Sequence, residues 1–244
     1  MQILDEGLVL SLRNYGENGL IVTIFSKHNG LMRGYYKFSK KNKKPLLFDL
    51  VSFKYKSRTN NSLGYISFET QNNFFINRNN YIFSIIASSI CELCLKLIPI
   101  NEKNINIYND VLVTLSFPNP EDNIKLYIKQ YLLWEFYLLQ HLGFGLDINE
   151  CAVTGVKTKL RYVSPKTGKA VCEKIGKPWK DKILKLPNFF KEHRSPINTQ
   201  DLIDGFNLTN FFINKLIINL FYEKKIKLIF RKEIFRKLLT MQNL

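Results

Sequence analysis

GLVLSLRNYGENGLIVTIFSKHNGLMRGYYKF, residues 7–38, decides the fold, because it reads as three short strands separated by two tight turns. The predicted strands are 7–15, 20–27 and 31–38. Their residues are β-branched, aromatic or alternately apolar, which is typical of half-buried strands. The turns are GENG and His28-Asn29-Gly30, whose glycines accept positive φ. LLFDLVSFKYKSR (46–58) and LGYISFETQ (63–71) predict two more strands. Five short strands joined by tight turns predict a small closed β-barrel.

Beyond the fifth strand, the hydrophobic period changes to that of helices. Start and stop signals accompany it, such as Asn80 before the first helix and Gly143 after the longest. The predicted helices are 80–97, 104–117, 121–142, a short one opening at Pro178-Trp179, and a final helical region capped by Thr199-Gln200-Asp201 with 209–225 as its core. The predicted fold class is α+β. A barrel domain at residues 1–78 precedes a helical domain at 79–244, which carries a hairpin inserted at about 147–175.

The charge of the chain points to a polyanionic partner. Lysine and arginine number 36 against 20 aspartates and glutamates, for a formal net charge of +16 and a pI near 9.6. Such a surface attracts nucleic acid and less often acidic lipid. Codon usage in an AT-rich genome would also enrich lysine, but it predicts scattered lysines. The excess is instead concentrated in two segments, 33–58 and 215–237, so the sequence predicts basic patches.

The first basic segment is the predicted nucleic-acid-binding site, because it lies on the barrel among aromatic residues that are able to stack on bases. Its single acidic residue is Asp49. The predicted binding residues are Arg33, Lys37, Lys40, Lys41, Lys43, Lys44, Lys54, Lys56 and Arg58. For each lysine the alternative is a solvated side chain. For Tyr35 and Tyr36 the alternative to stacking is a place in the barrel core.

CAVTGVKTKLRYVSPKTGKAVC, residues 151–172, opens and closes with a cysteine. Structural zinc needs four cysteine or histidine ligands, often as two C-x₂-C pairs. Thr154 and Ile175 stand where the second member of each pair would be, and neither side chain binds zinc. We therefore predict no cofactor, and a hairpin around 164–168 that resembles a zinc ribbon without its metal and is held together by packing.

The sequence shows no convincing catalytic motif. It has no P-loop and no H-E-x-x-H, and Lys166-Thr167-Gly168 lacks the partner motifs of β-lactamase-type enzymes. Cys91 and Cys94 form a C-x₂-C within a helical pattern, which favours core thiols. The apolar window 81–100 contains Glu92 and Lys96, which favours a buried helix over a membrane span. We expect a cytoplasmic binding protein rather than an enzyme.

Several segments, in this order, resemble the RecO family of bacterial DNA-repair proteins, and most of all its α-proteobacterial members. DEGLVLSLRNYGENGLIVTIFSKHNG (5–30), followed by a lysine-rich loop, resembles the amino-terminal barrel of the family. The segments that resemble its helical part are LLQHLGFGLDINECAVTG (138–155), YVSPKTGKAV (162–171), Pro178-Trp179 and DLIDGFNLTNFFI (201–213). The likeness covers nearly the whole chain.

The resemblance implies an OB-fold barrel and a nucleoid-associated protein that binds single- and double-stranded DNA, anneals complementary strands and has no enzymatic turnover. It implies action with RecR and often RecF, contact with the C-terminal tail of single-strand binding protein, and help in loading RecA onto gapped DNA coated by that protein. Many members carry a Cys₄ zinc finger at the hairpin. Because only Cys151 and Cys172 of that set remain, the metal is not carried over.

Three other functions stay open at the level of sequence. The chain could be an OB-fold RNA-binding factor, which competition between single-stranded DNA and RNA would reveal. It could be a nuclease, which labelled DNA with magnesium or manganese would reveal. It could also be a scaffold for protein partners, which would capture them after nuclease treatment yet bind free DNA poorly.

Overall fold

The computed structural model describes residues 1–39, 44–59, 63–70, 79–117, 123–221 and 226–242. The chain forms two compact units, Met1–Ser116 and Phe117–Leu244. The first contains a five-stranded barrel and two helices, and the second contains further helices and a three-stranded sheet. The predicted α+β class, with an OB-like barrel followed by helices, is confirmed. The domain boundary after residue 78 stays a prediction.

The barrel closes through one ring of strands in the order β1-β2-β3-β5-β4, and β4 pairs back onto β1. The strands are β1 Gln2–Asn14, β2 Gly19–Ser26, β3 Gly30–Lys37, β4 Leu50–Lys56 and β5 Gly64–Thr70. All neighbours are antiparallel except β3 and β5, which run parallel. A bulge between Val9 and Ser11 bends β1, so its first half pairs with β4 and its second half with β2.

Two strands begin several residues away from their predicted starts, whereas the other boundaries of β1 to β4 shift by one or two residues. β1 begins at Gln2 rather than at residue 7, because its first residues pair with β4, a long-range contact that the local pattern does not show. β4 begins at Leu50 rather than at residue 46, because the preceding residues form a turn. In that turn the Asp49 carboxylate accepts a hydrogen bond from the Leu46 amide at 2.7 Å, and Phe48 adopts a φ of 67°.

Inward-facing side chains fill the barrel and form its core: Val9, Leu20, Val22, Ile24, Met32, Tyr36, Val51, Phe53, Tyr55 and Ile66. Tyr36 is 4% exposed and stacks on Phe68, with the ring centroids 4.3 Å apart. Its neighbour Tyr35 faces outward, because successive strand residues point to opposite sides of a sheet. The structure therefore places Tyr36 in the barrel core rather than on the surface, where its ring could stack on a base.

Two helices complete the first unit, α1 Tyr81–Leu97 and α2 Ile105–Leu115. Asn80 caps α1 as predicted, since its Oδ1 accepts the Phe83 amide at 3.0 Å. Cys91 and Cys94 lie on the buried side of α1, where burial raises the pKa of both thiols, as expected of core cysteines. Among the described residues, no helix has both the length and the apolar composition needed to cross a membrane.

Three long helices dominate the second unit: α3 Ile124–His141, α5 Thr199–Phe221 and α6 Ile229–Gln242. Asn123 caps α3, and the predicted start at 121–122 lies outside the described residues. The cap of α5 is Asn198 rather than Thr199. The side chains of Asn198 and Asp201 accept each other's backbone amides at 2.8 and 3.1 Å. The prediction of one final helical region is wrong at α6, which is a separate helix.

A buried ion pair joins these three helices. Glu135 on α3 is wholly buried, and its oxygens accept the Arg231 Nε at 2.6 Å and Nη2 at 2.9 Å. The Thr209 hydroxyl of α5 donates to the same carboxylate at 2.5 Å, and the Tyr131 hydroxyl donates as well. These four hydrogen bonds to the Glu135 carboxylate come from side chains of the three helices. They compensate for the water that the buried charge has lost.

An antiparallel hairpin lies between α3 and α5 in the chain, with β6 Leu160–Val163 and β7 Ala170–Cys172 on either side of the predicted turn. A third strand, β8 Leu184–Lys185, gives the sheet order β7-β6-β8. The intervening chain forms α4 Glu173–Gly176 and a 3₁₀ turn, Lys177–Trp179, and a second 3₁₀ turn, Asn188–Phe190, follows β8. The hairpin is present as predicted, and its likeness to a zinc ribbon stays a prediction.

Candidate nucleic-acid interface

The outer surface of the barrel carries the cations predicted to bind nucleic acid. On β3, Arg33 and Lys37 are exposed while Met32 and Tyr36 face the core. On β4, Lys56 is exposed and Lys54 is half-buried. The two-residue period of a strand produces this separation, because apolar and basic residues alternate along both strands. The same two strands therefore close the core on one face and present the charges to solvent on the other.

Strand pairing aligns one outward residue from each strand into a continuous row. In order around the barrel, the row is Arg13, Ile21, Tyr35, Tyr65 and Lys56. Lys56 in turn pairs with Gln2, so the row returns to β1 at the opposite end of that strand from Arg13. Strands in a closed barrel are tilted, so this row is a spiral rather than a closed ring. It connects cations and aromatic rings across all five strands.

Three tyrosines form a cluster on this surface. Tyr15, directly after β1, is 62% exposed and Tyr65 is 67% exposed, with the half-buried Tyr35 between them. Ring centroids are 5.9 Å apart for Tyr15 and Tyr35 and 5.5 Å apart for Tyr35 and Tyr65, both edge to face. Gly19 makes room for the central ring, because a Cβ there would lie 2.5 Å from Tyr35 Cε2. The cluster offers aromatic surface on which a base can stack.

A groove of about 410 Å³ lies beside the tyrosine cluster. Arg13 and Arg33 line it together with the hydroxyls of Ser11 and Thr23. Guanidinium and hydroxyl groups are the side chains that hold phosphate oxygens in nucleic-acid complexes. The groove and the cluster together place phosphate-binding and base-stacking groups within one surface.

The acidic residue of the basic segment does not offset this charge. Asp49 is 5% exposed and accepts the Leu46 amide, so its carboxylate faces the protein. Lys44 lies over the Phe38 ring, with Nζ 4.5 Å from the centroid, which keeps that cation beside an aromatic residue. The one acidic side chain of the segment is therefore directed away from the exposed cations.

The structure locates six of the nine predicted binding residues. All of these six are exposed except Lys54, which is half-buried. They are Arg33, Lys37, Lys44, Lys54, Lys56 and Arg58. Lys40, Lys41 and Lys43 lie outside the described residues. β3 and β4 both border β5, so Tyr65 stands between the basic positions of the two strands.

The sequence reasoning missed Arg13, Tyr15 and Tyr65. Alternation along β1 does contain a signal for Arg13, which follows the inward Leu12. Tyr65 likewise precedes the inward Ile66. No local signal shows that β5 pairs with β3, however, and only that pairing places Tyr65 beside Tyr35.

The second predicted basic patch, at 215–237, stays a prediction, and Lys224 and Lys225 lie outside the described residues. Arg231 is 2% exposed and bound to Glu135. Arg236 pairs with Glu233 at 2.9 Å, and Lys215 donates to the Pro165 and Lys166 carbonyls at 3.4 and 3.3 Å. A charge count along the chain cannot tell a buried or paired cation from a solvated one.

A serine, a histidine and an aspartate meet at one end of the barrel, but not in the order of a catalytic triad. The Asp5 carboxylate accepts hydrogen bonds from the Ser26 hydroxyl, the His28 amide at 3.0 Å and the His28 ring at 2.8 Å. Burial would raise the pKa of Asp5, but these bonds and that of the Glu6 amide lower it to about 2. In a triad the histidine lies between the other two residues. Here the aspartate holds a turn.

The hairpin thiols do not form a zinc-binding set with their neighbours. The Cys151 sulfur accepts the Cys172 amide at 3.3 Å, and the Thr154 hydroxyl lies 3.8 Å from the Cys172 sulfur. Burial would raise the pKa of Cys151, but the Thr154 hydroxyl and the surrounding amides lower it to about 6. Among the described residues, no three histidine, cysteine or acidic side chains are placed to share a metal ion. Two thiols and a hydroxyl do not fit tetrahedral zinc.

Packing of the hairpin around 164–168 stays a prediction; the two cysteines that bound the stretch, Cys151 and Cys172, are buried. In the loop before β6, residues 152–159 are exposed, and backbone hydrogen bonds close the loop. The Cys151 amide donates to the Val156 carbonyl at 2.8 Å, and the Gly155 amide donates to the Cys151 carbonyl at 2.9 Å. The absence of zinc itself stays a prediction, for which elemental analysis of the purified protein is the test.

A closed barrel of five strands, with basic and aromatic side chains joined on its outer surface, is typical of OB-type nucleic-acid-binding domains. Comparison with known families narrows this class. Residues 1–74 match the family description "Recombination protein O N terminal", and residues 78–217 match "Recombination protein O C terminal".

Individual relatives agree with the family match. The chain is 33% identical over 218 residues to the DNA repair protein RecO of Bartonella tribocorum, across 87% of this chain and 86% of the relative. It is 31% identical over 226 residues to that of Rickettsia canadensis, across 90% of both. It is 33% identical over 228 residues to that of Rickettsia akari, across 90% and 92%. The chain therefore belongs to the RecO family of DNA repair proteins.

Proposed function

We propose that this protein is a non-enzymatic recombination mediator in DNA repair. It binds single- and double-stranded DNA, anneals complementary strands and helps to load RecA onto gapped DNA coated by single-strand binding protein. The observation that carries the proposal is the outward row of basic and tyrosine side chains on the barrel. Membership of the RecO family supports the same role in repair.

The chemistry of the row favours binding without strong sequence preference. Lysine and arginine on β3 and β4 neutralise phosphates and release counterions, so affinity falls as salt rises. The exposed rings of Tyr15 and Tyr65 can stack on any unpaired base, because every base has an aromatic face. Annealing requires that two polyanions approach each other, and bound cations screen their repulsion.

The proposed partners are proteins of the same repair process. They are RecR, possibly RecF, the C-terminal tail of single-strand binding protein and, indirectly, RecA. Support for them comes from the family alone. The DNA-binding residues proposed on the barrel are the nine basic residues of the segment 33–58, together with Arg13 and the tyrosine cluster.

The first experiment replaces Arg33, Lys37 and Lys56 with alanine in one variant. Affinity for a labelled single-stranded oligonucleotide is then measured across a salt series. Because each lost phosphate contact removes about 0.7 from the slope of log K against log salt, we expect the slope to fall by about 2. A control variant removes Lys125, Lys232 and Lys237, which carry the same total charge outside the barrel unit. Equal slopes in the two variants would overturn the barrel as the binding surface.

The second experiment separates annealing from catalysis. Complementary labelled strands are mixed with the protein, and their rate of pairing is compared with that of the barrel variant. The same strands are incubated with magnesium or manganese and examined for cleavage. Faster pairing without cleavage is the expected result, and cutting that persists in highly purified protein would show an enzyme.

A further inference from the structure

A second strongly basic surface lies on the hairpin of the helical unit. Between residues 157 and 185 there are ten lysines and arginines against Glu173 and Asp181, and all ten basic side chains are exposed. Three of them have assigned partners: Lys169 with Asp147, Lys185 with Asp204, and Arg161 with Asn188. The sequence reasoning overlooked this segment because its lysines are spaced among strand and turn residues rather than gathered in one run.

The centre of this surface is a groove of about 500 Å³. Lys159, Lys174 and Lys177 line it together with Thr158 and with Thr154, whose hydroxyl lies beside the Cys172 sulfur, and Glu173 is the acidic residue in its lining. Lysine ammonium and threonine hydroxyl groups are donors that fit phosphate oxygens. We call this groove the hairpin groove.

Trp179 stands next to Lys177, on the 3₁₀ turn that follows α4. Its indole is 57% exposed, and the Lys182 ammonium lies 5.7 Å from the ring centroid. The turn restricts the backbone at this position, since the Trp179 carbonyl accepts the Lys182 amide at 2.8 Å and Pro178 precedes it. An exposed tryptophan beside a cation is a residue on which unpaired bases can stack.

We propose that the hairpin groove and Trp179 form a second nucleic-acid-binding site, which holds a single-stranded sugar-phosphate backbone in the groove and stacks an unpaired base on the indole. The proposal rests on the proposed function and extends it, because a protein with one site in each unit can bind two strands at once. A single strand fits better than a duplex, whose bases are paired and stacked on one another. A nucleic acid fits better than an acidic peptide, because the exposed indole of Trp179 beside the groove can stack on an unpaired base.

Tryptophan fluorescence reports on this site directly. The chain has two tryptophans, and Trp134 on α3 is 1% exposed. A base that stacks on Trp179 should quench its emission, while the buried Trp134 stays shielded. We expect an oligothymidine to quench the wild-type protein and to leave the emission of W179F unchanged, and we expect added salt to reverse the quenching.

A charge variant tests the groove itself. Lys159, Lys174 and Lys177 are replaced by alanine in the full-length protein, and the control is the variant that lacks Lys125, Lys232 and Lys237. Circular dichroism confirms folding of both. We expect the groove variant to lower the salt slope for a single strand by about 2 and to slow annealing at least as much as the barrel variant does. W179A alone should weaken binding of a short oligonucleotide about ten-fold.

The outcomes separate this inference from the proposed function. Quenching that is lost in W179F, with impaired annealing in the groove variant, supports the second site. If wild-type protein binds DNA through the barrel but shows no quenching, and the groove variant behaves like its control, the second site is refuted and the proposed function stands. If wild-type protein retains no DNA at low salt, both fail. Stronger quenching by an acidic peptide than by an oligonucleotide of equal charge would show a protein-binding surface instead and would refute the nucleic-acid site.

Discussion

The two units bury charges of opposite sign in different ways. In the barrel unit the buried groups are acidic: the Asp5 side chain is 4% exposed and Asp49 is 5% exposed. Both are satisfied by nearby hydroxyl, ring or amide donors, and the cations stay outside. In the helical unit, Lys129 and Arg231 are buried, and Arg231 requires a buried carboxylate as its partner.

This difference shows why equal charge excesses in a sequence need not give equal surfaces. A strand alternates between inside and outside, so a basic residue between two apolar ones is directed to solvent. The buried face of a helix is broad, so a basic residue can fall within it. Arg231 does so, because it lies on the buried side of α6 with Ile234 and Leu238. Most of the described cations of 33–58 therefore stay exposed, whereas Arg231 in 215–237 is buried.

Removal of the buried cation should have the largest effect. We expect R231A to lower the free energy of unfolding by about 3–5 kcal/mol, because it leaves Glu135 buried without its counter-ion. Urea denaturation followed by circular dichroism measures the change. R236A is the matched control, since Arg236 is mostly exposed and its pair with Glu233 contributes little. Equal stability of the two variants would contradict the role of the ion pair.

A substitution at Gly19 should have the next largest effect. The added Cβ of G19A would lie 2.5 Å from both Tyr35 Cε2 and the Tyr15 carbonyl oxygen. We expect a loss of about 1–3 kcal/mol in stability, with weaker oligonucleotide binding because the tyrosine cluster is displaced. Denaturation and fluorescence anisotropy measure the two effects. In the double variant G19A/Y35A the stability losses should be less than additive, and full additivity would show that the ring and the glycine are not in contact.

The buried acid of the barrel should give a pH-dependent effect. Asp5 has a pKa of about 2 in the folded protein, below its ordinary value of 3.8. Its stabilisation is therefore fully present above about pH 4 and is lost as the pH falls through 2. After allowance for solvent screening, we expect D5N to cost about 1–2 kcal/mol at neutral pH and to remove this part of the acid dependence. Unfolding at several pH values measures it, with E6Q as a control. An unchanged acid profile in D5N would refute the assignment.

The smallest effect should come from one exposed cation. We expect K56A to leave stability unchanged and to lower the salt slope for single-stranded DNA by about 0.7, the contribution of one phosphate contact. K232A, on α6, should leave the slope unchanged. A fall in stability in K56A would show that Lys56 is part of the structure rather than of the binding surface.

Much of this fold follows from local patterns. Alternating apolar residues and turn glycines are sufficient to predict the barrel strands. The Asn80 cap is sufficient to predict the start of α1. The start of β1 and the place of Tyr65 were not predictable, because both depend on pairing between distant segments. The bond between Arg231 and Glu135 joins residues 96 positions apart, and no local spacing encodes it.

The candidate site shows the same limit. The basic residues of β3 and β4 were found from charge and alternation, yet the tyrosine cluster and the hairpin groove depend on tertiary contacts. Trp179 was recognised as the start of a short helix, while its exposure was not, since a tryptophan in a sequence is as typical of a core as of a surface.

The long separation of Arg231 from Glu135 along the chain has a consequence for synthesis. α3, which ends at His141, leaves the ribosomal exit tunnel long before Arg231 does. Until then, the nascent helical unit holds an uncompensated anion among apolar side chains, whereas the barrel has all of its strands by residue 70. We therefore expect the barrel to fold early in translation and the helical unit to reach its native packing only after Arg231 has left the exit tunnel.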